Sequence, residues 1–391
     1  MRLRLPLRKL SFASATAALF LGAFGSIGYS APQSKPAQGP TWRFAVSGDS
    51  RNCGDIVMPA IADGARRDGA NFYWHLGDFR AGSFVDEDIA RRPENKSQKF
   101  TGEQYLKIEW QDFIDNQIAP FGPVPVFLGI GNHENPGHTK ANGTYAENRA
   151  DYVKTFRRWL DADPIRQARQ ADDRGDSGVK PYYHWTERGI DFVTLDNASD
   201  DQFDEDQMKW IHEVLAKDES DPKVQTIVLG MHKALPDSIS YVHSMSESMN
   251  VTSISSGREV YRELLKAQNE SHKHVYVLAS HSHFFMDNTF NTNFWNGNGG
   301  VLPGWIVGTA GAQRYQLPDG WRQANLAIQH AYGYLLGTVN PRASEDEAGD
   351  GTIRFEFKLV NKSDVPAAVD HRFGGPLIDF CFDQNASMKP L

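Results

Sequence analysis

Val275-Tyr276-Val277-Leu278-Ala279-Ser280-His281-Ser282-His283 is a run of strand-forming residues that ends in two histidines. A short β-branched and aromatic run bounded by small polar residues describes a buried strand. Side chains two apart in an extended chain share a face, so His281 and His283 can serve adjacent ions. The same arrangement recurs outward along the chain. Trp42–Ser47 runs into Gly48-Asp49-Ser50-Arg51, and Phe72–Leu76 runs into Gly77-Asp78. Val124–Leu128 leads to Gly131-Asn132-His133-Glu134, Ile190–Leu195 to Asp196-Asn197, and Val224–Leu229 to Gly230-Met231-His232. One Asp after a strand is ordinarily a helix N-cap. Repetition of carboxylate, amide or imidazole at every strand end points instead to the ligand-binding edge of an α/β sheet.

Amphipathic stretches separate these strands. Gln207, Trp210, Ile211, Val214 and Leu215 recur at helical spacing behind Asp204, Glu205 and Asp206, acids that suit a helix N-terminus. Glu103–Ile118 reads as a second helix, with Tyr105, Leu106, Ile108, Phe113 and Ile114 inward and Pro120 closing it. Asp86–Gly102 and Arg166–Lys180 read as charged surface loops. After His283, Phe294-Trp295, Trp305–Val307, Tyr334–Val339 and Thr352–Leu359 read as strands of a second, mostly antiparallel sheet packed on the first. The expected fold class is α/β, a double β-sheet sandwich flanked by helices. Residues 41–360 read as its domain and 361–391 as a tail, irregular apart from the region of Cys381.

The chain has 391 residues, 40% hydrophobic and 23% charged, which excludes global disorder, collagen and coiled coil. Residues 1–30 begin with Arg2, Arg4, Arg8 and Lys9, continue through an apolar small-residue stretch and reach Gly28-Tyr29-Ser30. That order reads as a secretory signal, too short and too Gly/Ala-rich for a membrane span, and a secreted or periplasmic protein is expected. Residues 31–40 read as a flexible tether. Formal charge is −8, and −12 without residues 1–30, so no nucleic-acid-binding surface is expected; no later window is apolar enough for a membrane span after signal removal. Cys53 and Cys381 are the two cysteines, and in an oxidising compartment they can bridge.

Asp49, Asp78, Asn132, His232, His281 and His283 form one donor set of carboxylates, an amide and imidazoles. Hard oxygen together with imidazole suits Mn, Fe or Zn, and the lack of Cys argues against a structural zinc finger. Six ligands exceed one tetrahedral ion and suit two that share a carboxylate. Neither Cys has a flanking base, and neither a Gly-x-Ser-x-Gly elbow nor a Gly-rich phosphate loop occurs.

Gly-Asp, Gly-Asp, Gly-Asn-His-Glu, a strand-end His and His-x-His, in this order, resemble the calcineurin-like metallophosphoesterases over roughly residues 42–340. The resemblance implies a double-sheet sandwich and two divalent or trivalent ions. It also implies an exported hydrolase that cleaves phosphate esters by attack of a hydroxide held between those ions. By position, Asp78 bridges, Asp49 and His283 hold one ion, and Asn132, His232 and His281 hold the other. His133 faces substrate as proton donor or leaving-group stabiliser. The first motif of the family reads Asp-x-His, and here Arg51 stands at the His position, so one ion keeps three protein ligands. Arg51 is a candidate contact for substrate phosphate. The purple acid phosphatase branch has a Tyr where this chain has Ala81, which disfavours an iron-tyrosinate centre. The alternative reading is a non-catalytic binding or sensor protein with a weakened metal site, motivated by Arg51. Of the other histidines, His75 and His184 read as packed, while His138 and His243 lie in segments that could border the pocket.

Overall fold

The computed structural model describes residues 40–82, 84–95, 97, 100–135, 149–198, 202–341 and 349–387. The expected export signal, most of the tether and His138 lie outside the described residues. The strands are β1 (Trp42–Ser47), β2 (Ala70–His75), β3 (Val126–Leu128), β4 (Tyr183–Glu187), β5 (Ile190–Thr194) and β6 (Thr226–Gly230). They continue with β7 (His274–Ala279), β8 (Phe285–Asp287), β9 (Gly304–Val307), β10 (Ala327–Ile328), β11 (Gly333–Val339) and β12 (Ile353–Leu359).

The strands form two sheets, ordered β12-β11-β1-β2-β3 and β10-β8-β9-β7-β6-β5-β4. Both are mixed. β1, β2 and β3 are parallel, with β11 and β12 added antiparallel; β5, β6, β7 and β9 are parallel, with β4 and β8 antiparallel at their flanks. The sandwich is as expected, but its partition is not. The early strands pair with the last two, and the middle of the chain builds the other sheet.

Aromatic side chains lock the two sheets face to face. Phe44 meets Phe192 with ring centres 5.1 Å apart, and Phe127 stacks on Trp185 at 4.0 Å. Each such buried side chain contributes about 1.5–3 kcal/mol by leaving water. The outer face of the first sheet is covered by helix Gly54–Arg67 and by helices Ala367–Phe373 and Gly375–Asp379. Helices Glu205–Ser220 and Val251–Asn269 cover the other sheet. Asp204 caps the first of these through Gln207 N, as its acidic start predicts.

Five expectations need correction. Glu103–Ile118 is not one helix but the short helices Gly102–Leu106 and Glu109–Phe113 followed by a π turn, Ile114–Ile118. Tertiary hydrogen bonds pull on this segment: Asp112 meets Arg80 and Arg92, and Gln117 Nε2 donates to Asp55 Oδ1 at 3.1 Å. Asp86–Gly102 is not simply a surface loop, because Asp86, Asp88, Arg92 and Asn95 are buried against those same charges. Arg166 lies in helix Asp163–Asp172, and Phe294-Trp295 in helix Asn293–Gly297. The segment after residue 360 carries short helices whose Val369, Phe373, Leu377 and Ile378 are buried. Cys53 and Cys381 form a disulfide that ties this segment to the start of helix Gly54–Arg67.

Candidate metal centre

The carboxyl ends of β1, β2, β3, β6 and β7 meet through backbone hydrogen bonds. Asp49 N donates to Gly77 O at 2.9 Å, Gly129 N to His75 O at 2.6 Å and Ser280 N to His232 O at 2.8 Å. Such an edge needs glycine where backbones touch. A Cβ on Gly77, at φ +95°, would lie 2.4 Å from Gly131 N, and one on Gly131 would lie 2.2 Å from Asp78 Oδ1. Asp49, Asp78 and His281 themselves hold left-handed φ of 60°, 58° and 63°. That conformation costs non-glycine residues on the order of 1–3 kcal/mol, and it turns these side chains into the edge.

All six predicted donor residues gather here. His232 Nδ1 lies 3.0 Å from Leu76 O, a carbonyl that can only accept, so Nδ1 carries the hydrogen. The opposite nitrogen, Nε2, lies 3.0 Å from Asn132 Oδ1, 3.0 Å from His281 Nδ1 and 3.3 Å from Asp78 Oδ1. One ring nitrogen cannot satisfy three such neighbours, whereas a cation in their midst can. His283 repeats the pattern: Nδ1 donates to Gln313 O at 2.7 Å, and Nε2 faces Asp49 Oδ1 at 3.2 Å. An imidazole held by a backbone carbonyl on one nitrogen presents the other to a metal. Asp78 Oδ2 is buried without a hydrogen-bond partner. The donor set therefore fits metal ions on its own chemistry.

Burial pushes the Asp78 carboxyl upward, but His232, His133 and Arg51 hold it well below the usual carboxylate range. Burial opposes charge on His232, yet Asp78 and Asp49 lift it to about 9. Burial, with the neighbouring His232 adding to the effect, drives His281 well below an ordinary histidine. A site rich in negative oxygen thus stabilises positive charge at its centre.

His133 donates from Nδ1 to Ala81 O at 2.6 Å, which leaves Nε2 facing the cleft, 3.7 Å from Asp78 Oδ2. Arg51 reaches in from the other side, with Nη2 3.3 Å from His283 Nε2 and Nε 3.8 Å from Asp78 Oδ2. His243 borders the site, its ring centre 5.2 Å from that of His281. By contrast, His75 is a core residue bonded to Ser50 Oγ at 2.9 Å. His184 is packed too, but between two acids, 2.7 Å from both Asp172 Oδ2 and Asp191 Oδ2. Asp196 and Asn197 end their strand without joining the donor set: Asp196 pairs with Arg149 at 2.8 Å, and Asn197 Nδ2 donates to Lys233 O.

Several residues here escaped the sequence reading. Glu134 is buried and accepts from the backbone N–H of Asp78, Phe79 and Gly131 at 2.8, 2.7 and 2.8 Å, clamping two strand ends together. Burial and nearby Asp78 raise its carboxyl to about 8. Ser280 Oγ donates to Asp49 Oδ2, Tyr315 stacks on the His283 ring at 4.1 Å, and Glu247 lies 3.7 Å from His281 Nε2. Glu134 stood inside a quoted motif, but its partners are main-chain atoms of other loops and have no sequence signature.

The family described as Calcineurin-like phosphoesterase matches residues 43–285. No curated protein matches the chain. Among solved structures, a purple acid phosphatase from yellow lupin (Lupinus luteus) seeds superposes with a TM-score of 0.54 at 16% identity, over 83% of this chain and 52% of that one. PhoD superposes with a TM-score of 0.51 at 14% identity, over 83% of this chain and 72% of that one. At such identities the likeness is one of fold, and the chain spans about half the length of the lupin enzyme.

Proposed function

The chain belongs to the calcineurin-like phosphoesterase family, and on that premise we propose that it works as a metal-dependent phosphoesterase. Asp78, Asn132, His232 and His281 would hold one ion, and Asp49, Asp78 and His283 would hold a second. The observation that carries this is the approach of Asn132, His281 and Asp78 to His232 Nε2 within 3.0–3.3 Å. When bound, ions of the Mn, Fe or Zn type supply positive charge against phosphoryl oxygens and acidify water.

The protein's own part is orientation and proton movement. Leu76 O and Gln313 O fix which nitrogen His232 and His283 present. Glu134 holds the loops of Asp78 and Asn132 in register. Ala81 O keeps a hydrogen on His133 Nδ1, so proton exchange with a leaving oxygen takes place at Nε2. Burial holds the His133 pKa below that of an ordinary histidine, and Asp78 opposes the shift. The substrate would be a phosphate ester whose leaving group faces His133.

Export belongs to the same reading. It is supported by the basic and apolar composition of residues 1–30 and by the Cys53–Cys381 disulfide, a bond of oxidising compartments. Among the described residues no helix is long and apolar enough to cross a membrane. The test is hydrolysis of a broad panel of phosphomonoesters and diesters with Mn, Zn or Fe supplied. Turnover that disappears on chelation and returns with metal is expected; silence across the panel would end the proposal.

A further inference from the structure

The side chains assigned above to the second ion already face a cation of the protein's own. Arg51 lies two residues after Asp49 on the loop that leaves β1, and its side chain is only 13% exposed. Its Nη2 is 3.3 Å from His283 Nε2, and its Nε is buried 3.8 Å from Asp78 Oδ2. A guanidinium keeps its proton in proteins and can only donate. His283 Nδ1 is committed to Gln313 O, so Nε2 carries the lone pair and accepts from Arg51. A lone pair given to an N–H cannot at the same time bind a metal. Arg51 therefore engages one ligand atom of this compartment and stands beside another. The other compartment is built differently. Asp78 Oδ1, Asn132 Oδ1, His232 Nε2 and His281 Nδ1 converge on one another, with no guanidinium nitrogen paired to them in the contacts above.

We propose that Arg51 is the resident cation of the compartment formed by Asp49, Asp78 and His283, so that the chain binds one ion tightly and admits the second only as the guanidinium swings out. This rests on the metal-centre reading of the preceding subsection and adds to it an order of assembly. A guanidinium released toward the cleft meets phosphoryl oxygens, which its fork matches in a two-point hydrogen bond. Phosphate arrival and second-ion entry thereby favour each other.

The test is metal counting on the full chain, by elemental analysis after desalting and by calorimetric titration of the metal-stripped protein with Mn(II). Wild type should retain one ion per chain and bind the next at least roughly tenfold more weakly, about 1.4 kcal/mol. Arg51→Ala removes the competing cation, and its second binding event should tighten by about tenfold or more. Arg51→His adds a ligand and should retain two ions, whereas Arg51→Lys keeps a cation and should remain near one. Inorganic phosphate should strengthen the second event in wild type and not in Arg51→Ala. Thermal melts identify any variant that fails to fold, and the other two then decide. Two ions held alike by wild type, or a second event unmoved in every folded variant, would overturn the proposal and leave the metal centre standing. No bound ion in any form would overturn both.

Discussion

Two clusters of charge lie side by side in this molecule, and they are built on opposite principles. Around Arg80 and Arg92, the carboxylates of Asp55, Asp88 and Asp112 each meet a guanidinium; Arg80 Nη2 is 2.5 Å from Asp55 Oδ1, and Arg92 Nη1 is 2.7 Å from Asp112 Oδ1. Asp86 completes the group by accepting from Tyr105 Oη at 2.5 Å and from Ala81 N at 3.2 Å. Each of these acids has a hydrogen to accept, although Arg80 Nε and Arg92 Nε lie buried without a partner, and the cluster holds its chain segments together. At the strand-end site the balance fails. Asp78 Oδ2 is buried without a hydrogen, and imidazole nitrogens face oxygens that also accept. A buried acid is thus no mark of function in itself. A surplus of lone pairs over hydrogens is what calls for an ion.

The contrast can be broken experimentally, and the largest effect belongs to the shared carboxylate. Asp78→Asn should cost several kcal/mol of transition-state stabilisation, roughly 10³-fold or more in kcat/KM, while far-ultraviolet circular dichroism stays native. Steady-state kinetics on any accepted ester reads it; retained turnover would remove Asp78 from the site. Arg80→Met does the reverse. It strands buried carboxylates and should cost about 3–5 kcal/mol of stability in denaturant unfolding, with metal content per folded chain unchanged. His133→Ala should lower kcat roughly 10²-fold and leave metal stoichiometry intact, because its ring works beside the ions and not on them.

A third cluster sharpens the comparison through pH. Burial disfavours a charged His184, yet Asp191 and Asp172 raise it to about 10. A folded-state pKa above the unfolded one makes this ring stabilising below about 6.5, and the gain is lost as pH rises through about 10. Unfolding free energy should therefore fall by about 2–3 kcal/mol between pH 7 and pH 9, and less in His184→Gln. Equal slopes in the two proteins would show that the ring is neutral when folded.

Much of the site was legible because each donor sits directly after a short apolar run, and strand geometry sends it to the carboxyl edge whatever its neighbours. His281 and His283 were readable from two-residue spacing, and Asp204 from cap chemistry. The segment Glu103–Ile118 was not. Its helical period is genuine, but Asp112 and Gln117 are drawn to Arg80, Arg92 and Asp55, residues distant in sequence. Sheet membership was equally hidden: β1 pairs with β11, nearly three hundred residues later, and β-period patterns do not say which strand lies alongside which.

The sequence by itself determined the class of fold, the strand ends and the six candidate donors, because period, spacing and residue chemistry are local properties. It also made the Cys53–Cys381 bridge possible by supplying two cysteines and no third. Tertiary structure alone decided how the described strands divide between two sheets, which buried acids are neutralised by arginine, and that Arg51 reaches His283. Those outcomes depend on distances between residues far apart in the chain, and such distances exist only once packing has brought the segments together.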